Sequence, residues 1–151
     1  WAGLAGLRGG YGGFPLDLMP YLWKSKQPYK VNLAADIAAQ ASLQDTAYLM
    51  GLVKKMVEQR QRMEEAFSEL PFLDPYPSQS NFVLSKVIGM SAAELRDRLA
   101  KAGIIVRYYN KPRLEDHIRI SAGTPEQVDK LLDVLKTFIT IETPSPQRKD
   151  S

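Results

Sequence analysis

The chain has 151 residues, enough to bury a core of ordinary size. It has no cysteine and one histidine, His117, which excludes disulfides, thiolate metal sites and cysteine nucleophiles within these residues; Glu115, Asp116 and His117 run contiguously and lack the spread of a zinc ligand set. The net charge of +3 is weak, and Lys54, Lys55, Arg60 and Arg62 alternate with Glu58, Glu64 and Glu65, so no stripe for nucleic acid is present, and no apolar run approaches the roughly 18 residues that span a bilayer.

Six glycines and one arginine, Arg8, crowd the first thirteen positions. Glycine is unfavourable in regular structure and is tolerated at such density where the backbone bends sharply or approaches something closely. Phe14, Pro15 and Leu16 open a helical stretch expected to reach Lys26, with Pro15 in its first turn. Alanines at 34, 35, 38, 39 and 41 suit close helix packing between Val31 and Leu43. From Tyr48 to Leu70, Leu49, Leu52, Val53, Met56, Val57, Met63, Phe67 and Leu70 recur at helical spacing, which predicts a long amphipathic helix. Met56 and Met63 are read as core, and Arg60, which interrupts the stripe, as a long stem whose charge reaches water.

Residues 71–77 are read as loop and Asn81 to Val87 as a strand. Ser91 and Glu94 have the spacing of a capping box for a helix ending at Ala102, with Gly103 in the left-handed closing position. Ile104 to Tyr109 and His117 to Ser121 are two further strands. Thr124, Pro125 and Gln127 begin a last helix carrying Val128, Leu131, Leu132, Leu135, Phe138 and Ile139 on one face. A hairpin centred near Arg113 would set Arg107 almost opposite Arg119 on a common side, and like charges so placed destabilise a sheet unless an anion lies by them. The alternative is a pair of ordinary surface arginines. Alternation puts His117 on the face of Arg119; a surface or junction position is expected for it, without a general-base role. Asn81 is expected to be structural, since an amide does not trade protons near neutral pH.

Three segments in this order carry a resemblance. Leu4-Ala5-Gly6-Leu7-Arg8 with Tyr11-Gly12, Pro77-Ser78 with Asn81-Phe82, and Arg119-Ile120-Ser121-Ala122-Gly123-Thr124 resemble the histidinol-phosphate aminotransferase family of fold-type I, pyridoxal-phosphate-dependent aminotransferases. The Pro28-Tyr29-Lys30-Val31 stretch departs from the family's asparagine at its third position, which leaves the role of Asn32 open. The resemblance implies an α/β parent whose C-terminal portion is seen here. Residues 1–45 would be a remnant of the large cofactor-binding domain and its linker helix, 46–141 a small α+β domain, and 142–151 a tail that frays.

By the same resemblance no catalytic residue lies within the chain, because the Schiff-base lysine would fall shortly before Trp1; these residues alone would then be inactive. Arg8 would grip the phosphate of pyridoxal 5'-phosphate, and Arg107 and Arg119 would bind substrate. The implied activity is amino transfer between histidinol phosphate and 2-oxoglutarate, with glutamate as the other amino donor, in histidine biosynthesis. The parent would be a homodimer of the cytoplasm or plastid stroma that binds neither metal, nucleic acid nor membrane. A related aromatic or broad-specificity aminotransferase, or a non-enzymatic structural remnant, are the alternatives. Apolar residues around Leu16 to Leu43 are expected to lack a core of their own.

Overall fold

The computed structural model describes residues 2–141. They fall into two compact units, one reaching to Val53 and the other starting at Lys54. The division lies inside a helix, α3, Thr46–Ser68, whereas the sequence suggests a boundary before it, at 45/46.

In the first unit a short 3-10 turn, Ala5–Leu7, ends at Arg8, which adopts a left-handed conformation with φ 60. A second 3-10 turn, Leu16–Leu18, leads into α1, Met19–Ser25. The expected helix is therefore divided, and it is Pro20, at the helical start, that occupies the position with no lost hydrogen bond, while Pro15 caps the turn before it. Helix α2, Leu33–Gln44, follows. Ala35 is the one buried residue between Leu16 and Leu43, and Leu16, Tyr29, Leu33 and Leu43 are among the exposed apolar side chains.

The second unit is a four-stranded antiparallel sheet in the order β1-β2-β4-β3, from β1 (Leu73–Pro75), β2 (Phe82–Val87), β3 (Arg107–Tyr108) and β4 (His117–Ser121). Helices α4, Ala92–Lys101, and α5, Pro125–Ile141, join the C-terminal half of α3 against it. Two strand readings change. The segment expected as loop contains β1, an edge strand, where Pro75 can sit because its missing N-H faces away from a partner. The strand expected from Ile104 pairs only at Arg107 and Tyr108.

Alternation assigns the two faces. Val83, Val87, Ile118 and Ile120 point into a core completed by Met63 and Phe67 of α3, Leu95 and Leu99 of α4, and Val128, Leu131, Leu135 and Phe138 of α5. All three helices thus cover one face. Leu84, Lys86, Arg107, His117 and Arg119 belong to the other by the same alternation.

The expected caps form. Ser91 accepts from the Glu94 N-H at 3.1 Å, and Thr124 and Gln127 bond reciprocally at 3.0 and 3.4 Å. Gly103 closes α4 with φ 77, a conformation side chains rarely adopt. Along α3 only Arg60, Met63 and Phe67 are buried. Met56 is exposed, contrary to its reading as core, whereas Met63, two turns further along α3, is fully buried.

Candidate functional site

Arg8 is displayed by a braced turn. The Asn32 amide donates to the Leu7 carbonyl at 2.8 Å, and its oxygen accepts the Ala35 N-H at 2.8 Å as the cap of α2. One side chain thus starts the helix and fastens the turn that ends in Arg8, which supplies the role that sequence left open. Gly9 passes so near α2 that a Cβ would lie 3.3 Å from that of Ala35. The Arg8 guanidinium is exposed, with one long contact of 3.5 Å to the Ala5 carbonyl. Its remaining donors face outward, a fork suited to phosphate oxygens. Val31, immediately before the brace, is also left-handed, with φ 59. That conformation is strained for a β-branched residue.

In the second unit Arg107 and Arg119 are direct partners in the β3–β4 register, with Arg113 at the turn in a left-handed conformation, φ 71. The hairpin expectation holds to the residue. Arg119 is half-buried, its guanidinium carbon 4.9 Å from the Phe82 ring centre and 5.7 Å from that of Tyr109. Arg107 is exposed and lies 5.3 Å from the same Tyr109 ring. The buried Nε of Arg119 has no hydrogen-bond partner among the described residues. An open cleft of ≈ 560 Å³ adjoins the pair, with Val106, Gln127 and Lys130 also on its wall. Two opposed guanidinium groups and a nearby ammonium select an anion.

Of the surface or junction positions expected for His117 the surface one does not hold, since the residue is 8% exposed. The Tyr76 ring stacks on it at 5.6 Å and the phenol oxygen lies 3.2 Å from Nε2. Asp116 flanks Nδ1 and reaches Lys86 at 3.4 Å. Partial desolvation pushes the Asp116 carboxyl up, but His117, a backbone hydrogen bond and Lys86 together outweigh it and hold the group below the ordinary carboxylate range. Tyr76 was hidden from sequence reading because the loop assignment concealed β1, which delivers it.

The Asn81 backbone carbonyl accepts the Ala122 N-H at 2.9 Å, and its side-chain oxygen accepts from the Ser80 hydroxyl at 3.4 Å. Its loop is held by α3. Glu64 accepts the Ser78 N-H at 2.7 Å and Arg60 donates to the Ser80 carbonyl at 3.2 Å. Arg60 is therefore buried, at 5% exposure, and does not send its charge to water.

A model of "Aminotransferase class I and II" matches residues 2–135; the chain belongs to that family. Within it, the likeness is to histidinol-phosphate aminotransferases. Chloroplastic histidinol-phosphate aminotransferase 1 of Arabidopsis thaliana is 49% identical over 138 residues, covering 91% of this chain and 33% of that relative. The enzyme of that name from Roseiflexus castenholzii is 50% identical over 139 residues, 90% of this chain and 38% of its own length. The solved histidinol-phosphate aminotransferase of Clostridium acetobutylicum superposes with a TM-score of 0.79 at 25% identity over 92% of this chain and 43% of that one. That of Sinorhizobium meliloti, in complex with pyridoxal-5'-phosphate, gives 0.58 at 31% over 67% and 29%. The chain spans about a third of the length of the curated relatives it matches.

Proposed function

We propose that these residues belong to a pyridoxal-phosphate-dependent histidinol-phosphate transaminase of histidine biosynthesis, exchanging an amino group between histidinol phosphate and 2-oxoglutarate. The observation that carries the reading is the direct opposition of Arg107 and Arg119 on the sheet face opposite to α3, α4 and α5. A phosphate monoester carries close to two charges and three terminal oxygens and can occupy both forks; a carboxylate is satisfied by one.

Arg8 fits the cofactor's phosphate because its guanidinium is exposed on a turn that Asn32 holds. When bound, pyridoxal phosphate supplies the electron sink for breaking a bond at the amine-bearing carbon. Arg119, fixed against Phe82 and Tyr109, orients the anionic end of either substrate, and Arg107 adds the second fork for the phosphate. No side chain of this chain is assigned the proton transfer; a lysine elsewhere in the whole protein does that work. The whole protein is proposed to be a homodimer, which sedimentation of the full-length protein reads as twice the chain mass. Relatives named as chloroplastic and relatives from bacteria both match, in keeping with plastid stroma or cytoplasm.

The test is a donor comparison with purified full-length protein, pyridoxal phosphate and 2-oxoglutarate. Histidinol phosphate is expected to exceed phenylalanine and tyrosine in kcat/KM by about tenfold or more, the effect of one extra charge-assisted contact. Equal use of the aromatic amino acids would favour the broad-specificity transaminase. Absence of amino transfer from every donor would overturn both and leave the structural remnant.

A further inference from the structure

We propose that Tyr109 is a specificity-determining residue of the substrate site, an aromatic partition that holds the two opposed guanidinium groups in place and so fixes how many of them an anion meets. The inference rests on the transaminase reading above and deepens it.

Two cations in direct register should splay apart, each side chain taking whichever rotamer lies farther from the other. Both instead lie within cation-π range of one ring, at 5.3 Å for Arg107 and 5.7 Å for Arg119. Tyr109 sits two residues after Arg107, so alternation brings its ring to the same face as both arginines. The contacts are unequal in consequence. Arg119 has a second ring, Phe82, at 4.9 Å, and is half-buried. Arg107 is exposed and, among the described contacts, has Tyr109 alone.

Loss of Phe82 or Tyr109 should therefore act differently. Without Tyr109, Arg119 keeps the Phe82 platform and a carboxylate still finds its fork. Arg107 loses the surface that directs it toward Arg119, and a phosphate loses its second fork. The ring, and not the hydroxyl, is the active part, so phenylalanine should serve at this position and leucine should not.

In the full-length enzyme, Tyr109→Leu is expected to lower kcat/KM for histidinol phosphate about tenfold, chiefly through KM, and to leave 2-oxoglutarate within about twofold. Tyr109→Phe is expected to restore both to within about twofold. Phe82→Leu is the contrasting variant and should raise KM for both substrates. Equal losses for the two substrates in Tyr109→Leu, or a failure of Tyr109→Phe to restore, overturns the partition. A second measurement requires no turnover: calorimetric binding of inorganic phosphate to the full-length protein should weaken about tenfold in Tyr109→Leu and stay unchanged in Tyr109→Phe. Unaltered phosphate affinity in the leucine variant overturns the partition whichever donor the enzyme prefers. A wild-type enzyme that ignores histidinol phosphate sinks the transaminase reading by itself, with the phosphate titration still deciding the role of Tyr109.

Discussion

Arg107 and Arg119 look alike in sequence and differ in surroundings. Arg119 is half-buried against two rings, so its alanine variant should weaken both substrates, whereas Arg107→Ala should affect histidinol phosphate more than glutamate. Each lost charge-assisted bond corresponds to about 1.5–3 kcal/mol, hence roughly tenfold or more in kcat/KM. Steady-state kinetics with both substrates checks this, and equal losses on changing Arg107 would remove its phosphate role. Asp116 makes a different prediction at the same scale. Its folded-state pKa lies below the ordinary carboxylate value, so the stabilisation it gives is present above that value and fades as pH falls through the lowered one. Acid unfolding followed by circular dichroism should show the wild type losing its margin over Asp116→Asn as the pH drops. A constant margin would mean that the cluster with His117 and Lys86 adds nothing.

At the scale of elements, two helices hold loops through polar side chains that no hydrophobic pattern reveals. Arg60 on α3 bonds the Ser80 carbonyl, and Arg60→Ala is expected to cost about 1.5–3 kcal/mol, because the bond involves a charged donor and leaves a carbonyl without it. Urea denaturation measures the loss. Asn32 at the start of α2 bonds the Leu7 carbonyl, so Asn32→Ala should loosen the turn bearing Arg8 and weaken pyridoxal phosphate in the full-length enzyme, in the same direction as Arg8→Ala. Titration of the enzyme with pyridoxal phosphate, read by the cofactor's visible absorbance, tests both variants; unchanged half-saturation would take Arg8 out of the site.

These two cases also mark the limit of what the residues disclosed in advance. Caps at Ser91 and Thr124, the left-handed Gly103 and the Arg107–Arg119 register were legible, because each is set by contacts a few residues apart or by the arithmetic of a hairpin. Strand β1 was not legible, since two prolines in residues 71–75 signal a break and only pairing with β2 overrides it. The burial of Arg60 and His117 was equally hidden, because each is covered by a segment distant in sequence: the Ser80 loop in one case, Tyr76 in the other. The candidate phosphate-gripping residues were marked by resemblance, but the rings that hold them had no signal beyond the aromatic letters at 82 and 109.

For the molecule as a whole, each unit states its own dependence. The first has a brace and a display turn but almost no core, with Ala35 buried and large apolar side chains such as Tyr11, Leu16 and Tyr29 exposed. Its order comes from local bonds, the mark of a segment with low stability of its own. The second unit has a continuous core on one side of its sheet.

That one-sidedness has a consequence for how the protein tolerates change. Along β4 the residues Ile118 and Ile120 face the helices, while His117 and Arg119 face the opposite side, so under the proposed function fold and selectivity would be written into the same five-residue strand in alternate letters. A saturation scan of β4 in the full-length enzyme, scored separately for abundance and for substrate preference, should oscillate with a period of two: abundance falling at 118 and 120, preference shifting at 119 with abundance kept. Such a strand lets a lineage change what it recognises without renegotiating how it folds, and scores that move together at every position would show that the two scripts are one.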